Sequence, residues 1–179
     1  MRNPVRVTIA MDKNSYEVFE KLKEDTNCSQ SEIVRNALNF YYHYKSLEKY
    51  GIDRIRMYVE MLAEGEHVIL DIDHWISFLK FIESHPEKEK FWEIHREIAK
   101  SHAEEFSGMS VEEILERLEA CNLFRISARK GEWVLVLNDE VTKKFIRSFL
   151  EEVFAGLGVE MEIKEDLMKI RLRRSVPLD

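Results

Sequence analysis

A single alternating segment near the N-terminus has no partner strand close to it in the sequence. Val5, Val7, Ile9 and Met11 alternate with Arg6, Thr8 and Ala10, and this period of two predicts a strand with one apolar face. No second strand is predicted for about fifty residues, and an isolated strand cannot satisfy its own N–H and C=O groups. The simplest partner is the same segment of a second chain. We therefore expect a two-stranded antiparallel ribbon about a two-fold axis.

Two amphipathic helices are predicted directly after this strand. Asp12 is suited to cap a helix that begins near Lys13 and ends near Thr26. The sequence Ser29-Gln30-Ser31-Glu32 matches a capping box. It precedes apolar residues at helical spacing, which predict a second helix from about Gln30 to Leu47.

The order of strand, helix and capped helix resembles the ribbon-helix-helix repressors, the class that contains the Arc and methionine repressors. The resemblance covers about residues 5–45. It implies an intertwined homodimer that pairs through residues 5–11 and the second helix, with double-stranded DNA as its partner. In that family the ribbon enters the major groove and its outward side chains read base edges. By residue match, the readers here are Arg6, Thr8 and Ala10.

These residue types differ in what they can read. Arg6 can donate two hydrogen bonds to one guanine, Thr8 can donate, accept or touch a thymine methyl, and Ala10 offers only a methyl contact. The family also binds a DNA phosphate at the N-terminus of the second helix, where free N–H groups and the helix dipole favour an anion. The phosphate-binding residues predicted on this basis, together with the flanking cations, are Arg2, Lys13, Ser29, Gln30 and Ser31.

The net charge of −7 is unusual for a DNA-binding protein, but it is unevenly distributed. Residues 1–50 carry eight basic and seven acidic side chains, so the acidic excess lies beyond them. This remainder is expected to repel DNA, and we expect affinity to depend steeply on salt, since contacts to DNA phosphates release counterions. Periodicity alone also fits an ordinary α+β fragment in which Arg6 and Thr8 merely face solvent, and this alternative stays open at this point.

The rest of the chain predicts a helical middle and a mixed C-terminal region. Residues 67–72 are ambiguous between a short strand and a loop leading to a helix capped by Asp73. From residue 109 onward a capping box at Ser110 and Glu113 starts a helix, and a hairpin with a turn at Lys130-Gly131 follows. A second helix and a second hairpin complete an αββαββ unit.

The second hairpin has a predicted register. With Glu165-Asp166 as the turn, the apolar pairs are Ile163 with Met168, Met161 with Ile170, and Val159 with Leu172. The charged pairs on the other face are Glu162 with Lys169 and Glu160 with Arg171.

The predicted fold class is therefore α+β. It comprises an N-terminal ribbon-helix-helix domain (β-α-α, intertwined dimer) over residues 1–48, a helical connector over residues 49–108, and a C-terminal αββαββ domain over residues 109–179. The last of these is expected to sense a ligand or to drive association, including assembly of dimers into a tetramer.

The sequence gives little indication of a metal site or of an enzymatic site. His67, Asp71, Asp73 and His74 cluster, and His95 and His102 share one helix face. The nickel-responsive members of the resembled class, however, carry a His-x-His pattern with a nearby cysteine, which this chain lacks. No phosphate-cradling glycine loop, HExxH or GxSxG motif is present. We predict no catalytic residues, no metal site and no cofactor, and no effector ligand is identified. Trp75, Trp92 and Trp133 fit either a core or an effector pocket.

The function predicted from the sequence is a cytoplasmic, non-enzymatic transcription regulator, a repressor that binds operator DNA in the major groove. No apolar run is long enough to cross a membrane. The alternative is a protein-interaction module such as an antitoxin, whose N-terminus dimerises and binds DNA while the remainder wraps a partner.

Overall fold

The computed structural model describes residues 5–63, 65, 67–129 and 132–175, and the chain forms two compact units. The first unit ends at Ile55 and the second begins at Arg56. The predicted turn at Lys130-Gly131 lies outside the described residues.

The first unit consists of residues without regular structure followed by helices. These are α1 (Lys13–Thr26), α2 (Gln30–Tyr44), a 3-10 helix (Lys45–Tyr50) and the start of α3 (Ile52–Ala63). The Asp12 carboxylate accepts a hydrogen bond from the backbone N–H of Ser15 at 2.8 Å, which confirms the predicted cap of α1. The predicted capping box of α2 is also present. The α-helical part of the second helix ends three residues earlier than predicted, because the chain tightens into the 3-10 helix at Lys45.

The second unit contains the remaining helices and one antiparallel sheet. The helices are α4 (Ile72–Ser84), α5 (Lys88–Glu105), α6 (Val111–Ala120) and α7 (Glu140–Gly156). The strands are β1 (Arg125–Arg129), β2 (Glu132–Val136), β3 (Met161–Asp166) and β4 (Lys169–Arg174), in the order β1-β2-β4-β3. The element order from α6 onward is the predicted αββαββ. The two hairpins join through β2 and β4, so one continuous sheet results.

The core of the second unit lies where α5, α6 and α7 meet the sheet. Its fully buried side chains come from every one of these elements; they include Ala99, Ile114, Phe124, Leu135, Leu150 and Leu172. β2 is an inner strand, and Trp133, Val134 and Leu135 are buried in succession, so both of its faces are covered. Trp92 and Trp133 are buried, and the Trp75 indole donates to the Thr142 hydroxyl at 3.3 Å.

One carboxylate links three helices of the second unit. Glu83 at the end of α4 accepts hydrogen bonds from the Trp92 indole of α5 at 2.8 Å and from Lys144 of α7. Because Lys144 and Trp92 donate to the carboxylate, the pKa of Glu83 is held below its usual 4.5. The Lys144 ammonium also lies 4.2 Å from the centre of the Trp92 ring. This cluster orients α5 against α7.

The predicted register of the second hairpin is wrong. Ile163 lies opposite Leu172 and Met161 opposite Arg174, and the turn residues are Leu167 and Met168, with Leu167 in the left-handed region at φ 50°. The turn is therefore two residues further along the chain than predicted, and the partner of Ile163 shifts by four residues, from Met168 to Leu172. A shift by an even number of residues leaves every side chain on the same face, so alternation could not distinguish the registers. The predicted pairs of Glu162 with Lys169 and Glu160 with Arg171 are not formed; Glu162 lies opposite Arg173.

The predicted cap of α4 is also displaced by two residues. Asp71, rather than Asp73, caps the helix and accepts hydrogen bonds from the N–H groups of Asp73 and His74. These donors hold the pKa of Asp71 below its usual value. Of the two alternatives for residues 67–72, the loop is correct, since residues 67–71 adopt no strand.

Candidate nucleic-acid interface

Residues 5–12 of the first unit form no helix or strand, and their apolar side chains are open to solvent. Val5 is 89% exposed, Val7 75%, Ile9 52% and Met11 39%. Within the described part of the chain, no backbone group of residues 5–11 hydrogen-bonds to another residue. The segment is also absent from the four-stranded sheet of the second unit. In the described part of a single chain, the backbone groups of this segment therefore lack hydrogen-bond partners, and its apolar side chains stay in contact with water.

The first unit also has almost no core. Ile33, 7% exposed, is the sole buried residue among the described residues 5–55. Between residues 9–12 and the two helices runs an open apolar groove of about 490 Å³, whose walls include Val18, Phe19 and Leu38. Since apolar surface of this extent drives association, the first unit has a face suited to being covered by another polypeptide.

The predicted base-reading residues are all exposed. Arg6, Thr8 and Ala10 lie in the segment before α1, and Ala10 also borders the apolar groove. Lys13 is the first residue of α1, and its exposed ammonium lies 3.8 Å from Glu17. The predicted contribution of Arg2 lies outside the described residues.

The N-terminus of α2 carries both free donors and a carboxylate. In the described residues, the backbone N–H groups of Gln30 and Ser31 have no acceptor. The Ser29 hydroxyl donates to the Glu32 carboxylate at 2.6 Å, and the Ser29 N–H donates to the same oxygen at 2.9 Å. These donations hold the pKa of Glu32 below its usual value. A phosphate that binds Gln30 and Ser31 thus shares the helix end with a negative charge, which makes the site weaker than one without an acidic residue.

The predicted histidine clusters do not form a metal centre in the described residues. No group of three His, Cys, Asp or Glu side chains is placed to hold an ion there. His67 Nδ1 lies 3.2 Å from the Met61 carbonyl oxygen, and Asp71 is occupied as a helix cap.

A cavity in the second unit was not predicted from the sequence. It has a volume of about 310 Å³ and lies among α5, α6, α7 and the residues after α3 and α6. His95 and His102, predicted to share one face of a helix, both line it, and so do Arg117 and Phe145. The spacing of the two histidines predicted that they share one helix face. Arg117 and Phe145 belong to other helices, and no pattern in the sequence placed them beside these histidines.

No helix in the described residues combines the length and apolar character that crossing a bilayer requires. Comparison with known proteins gives no match among curated proteins and none among solved structures. It does give one family: the exposed segment and the two helices that form the candidate interface, residues 5–45, match the ribbon-helix-helix proteins of the CopG family.

Proposed function

We propose that this protein is a transcription regulator that binds double-stranded DNA through a ribbon formed by two copies of residues 5–11. The observation that carries the proposal is that the backbone groups of residues 5–11 have no hydrogen-bond partner among the described residues of one chain, in a region that matches a ribbon-helix-helix family. Proteins of this family are typically DNA-binding transcription regulators that bind DNA as dimers.

In the proposed dimer the two segments pair antiparallel and satisfy each other's backbone groups. Val5, Val7 and Ile9 turn inward and meet the apolar grooves of both chains, which removes the exposed surface seen in a single chain. Arg6, Thr8 and Ala10 then form the outer face and meet base edges in the major groove. The free N–H groups of Gln30 and Ser31 bind a flanking phosphate.

The second unit serves as the effector or association domain. Its extensive buried core supports this role over the alternative of an antitoxin, whose partner-binding tail is expected to be disordered when free. Association of dimers into tetramers through this unit stays a prediction.

The test is gel retardation with DNA from upstream of the protein's own gene and with random DNA, each at two salt concentrations. The Arg6→Ala variant is expected to lose at least about tenfold of the preference for specific DNA, because a bidentate guanine contact contributes about 1–3 kcal/mol and a dimer has two. Affinity of both proteins is expected to fall steeply with salt.

The matched control is Lys80→Ala, which removes one exposed positive charge from the second unit. It is expected to leave the preference unchanged. Equal discrimination by the wild type and Arg6→Ala would remove Arg6 from the reading face, and absence of binding to either DNA at low salt would refute the proposed function.

A further inference from the structure

The cavity of the second unit has the size and lining of a small-molecule site. Its volume of about 310 Å³ is at the lower end of the range for such sites. Most of the wall is aromatic and aliphatic and comes from three helices: Phe91 and Ile98 from α5, Leu118 from α6, and Phe145 and Phe149 from α7. The wall predicts a compact ligand with an apolar body.

Two of the polar groups in the wall are neutral. His95 is 4% exposed, and its Nε2 lies 3.1 Å from the Phe145 carbonyl oxygen, so this nitrogen carries the proton and donates. Burial lowers the pKa of His95 and favours the uncharged imidazole. Burial also raises the pKa of the Cys121 thiol, which favours its protonated form. Neither group provides a charge for a ligand at neutral pH.

Two other polar groups satisfy each other. His102 Nδ1 lies 2.7 Å from the Glu105 carboxylate, and the two side chains are neighbours on the last turn of α5. The hydrogen-bond partner of the Glu105 carboxylate is therefore His102 and not Arg117.

The wall has two further polar residues: His67, whose Nδ1 lies 3.2 Å from the Met61 carbonyl oxygen, and Arg117 of α6. Arg117 is half-buried, and no carboxylate of the described residues lies within 4.0 Å of its guanidinium. Arginine stays charged under all ordinary conditions, and its planar fork of donors matches a carboxylate. An arginine that borders an apolar cavity without an acidic partner is suited to bind the anionic end of an apolar ligand.

We propose that this cavity binds a compact apolar monocarboxylate, an aromatic or branched-chain organic acid. Its carboxylate pairs with Arg117, and its hydrocarbon body packs against Phe91, Phe145 and Phe149. The guanidinium of Arg117 has no carboxylate within 4.0 Å among the described residues, so its fork of donors provides one bidentate site, which a single carboxylate fills. The inference deepens the effector role in the proposed function and names its ligand class.

The test is isothermal titration calorimetry on the full-length protein without DNA. The probes are 3-phenylpropionate, indole-3-acetate and 4-methylpentanoate, and the matched neutral compound is 3-phenylpropionamide, which has the shape of the first probe but no charge. Wild-type protein is expected to bind 3-phenylpropionate at least about tenfold more tightly than the amide.

Three variants separate the charge from the cavity. Arg117→Gln is expected to weaken acid binding about tenfold and to leave amide binding unchanged, which also shows that the cavity is still folded. Ile98→Trp fills the cavity and is expected to weaken both compounds. Arg96→Gln removes a half-buried arginine that belongs to α5 and does not line the cavity. It is expected to change the affinity for neither the acid nor the amide.

Equal affinity of the wild type for acid and amide would overturn the proposal. So would unchanged acid binding in Arg117→Gln, or no heat of binding from any of the three acids at about millimolar concentration, in the affinity range where weak small ligands are still detected. Gel retardation of the same samples keeps this result separate from the proposed DNA binding, since either property can fail while the other persists.

Discussion

His95 shows how burial converts an ordinary histidine into a pH-sensitive part of the core. Its ring packs on Phe145, with the two ring centres 3.9 Å apart, and its Nε2 donates to the Phe145 backbone carbonyl oxygen. Burial lowers the pKa of His95, and the positive charge of the nearby Arg96 lowers it further. The protonated form is therefore disfavoured in the folded state.

We predict that the free energy of unfolding falls as the pH drops below about 6.5. Here the unfolded chain takes up a proton that folded His95 resists, so acid favours unfolding until the pH passes the lowered folded pKa. The measurement is urea unfolding followed by circular dichroism at about pH 8 and about pH 5.5, on the wild type and His95→Gln. The variant is expected to be less stable than the wild type at both pH values. Its free energy of unfolding is expected to differ less between the two pH values than that of the wild type.

The control for this prediction is His74→Gln, which removes an exposed histidine of α4. It is expected to keep the wild-type pH dependence. The same pH dependence in His95→Gln as in the wild type would contradict the assignment to His95.

The helices α5 and α7 are in close contact at a point where both carry small residues. Gly156 ends α7, and a Cβ atom built on it would lie 2.6 Å from the Cβ of Ala103 on α5. Ala103 is buried, and its methyl group has no rotamer by which to move away. The absence of a side chain at Gly156 is thus a packing requirement of this helix pair.

We predict that Gly156→Ala destabilises the protein by about 1–3 kcal/mol, since overpacking forces one helix to shift. The measurement is the shift of the urea unfolding midpoint, with an unchanged dependence of the unfolding free energy on urea concentration. Ala103→Gly in the same chain is expected to restore part of the loss, because the added methyl group then has room. A double variant no more stable than Gly156→Ala alone would argue against a clash between these two positions.

For the molecule as a whole, the two units differ in what they can do as a single chain. The second unit buries a continuous core, whereas among the described residues of the first unit Ile33 alone is buried and the backbone groups of residues 5–11 have no hydrogen-bond partner. The excess of acidic residues lies beyond residue 50. DNA binding by the proposed ribbon therefore depends on assembly of the first unit and on a modest, salt-sensitive attraction.

We predict that alternate backbone amides of residues 5–11, those that face the partner strand, are protected from hydrogen exchange in solution, because a second chain accepts their hydrogen bonds. Ile9→Glu places a charge on the inward face and is expected to remove this protection and to reduce dimerisation in sedimentation. Thr8→Glu places the same charge on the neighbouring outward position. It is expected to keep the protection but to lose DNA binding, since the carboxylate repels phosphates.

The same exchange pattern in both variants would contradict the predicted division into inward and outward residues. Rapid exchange of these amides in the wild type would contradict the ribbon itself.

Local features of this protein could be predicted from its sequence because the groups involved lie within a few residues of one another. The caps at Asp12, Ser29 and Ser110 belong to this kind, and all three are confirmed. The αββαββ order and the apolar faces of the second hairpin also follow from local periodicity. The division into three domains and the roles of the base-reading and phosphate-binding residues stay predictions.

Other features depended on partners that are distant in the sequence. The register of β3 and β4 is set by a turn at Leu167, which the alternation of side chains does not predict. The sheet order depends on the pairing of β2 with β4. The cavity lies where α5, α6 and α7 meet. Its volume and the presence of Arg117 in its wall therefore could not be predicted from any single segment of the sequence. Short-range hydrogen bonds and side-chain alternation are properties of a segment, whereas register, sheet order and cavities are properties of how segments pack.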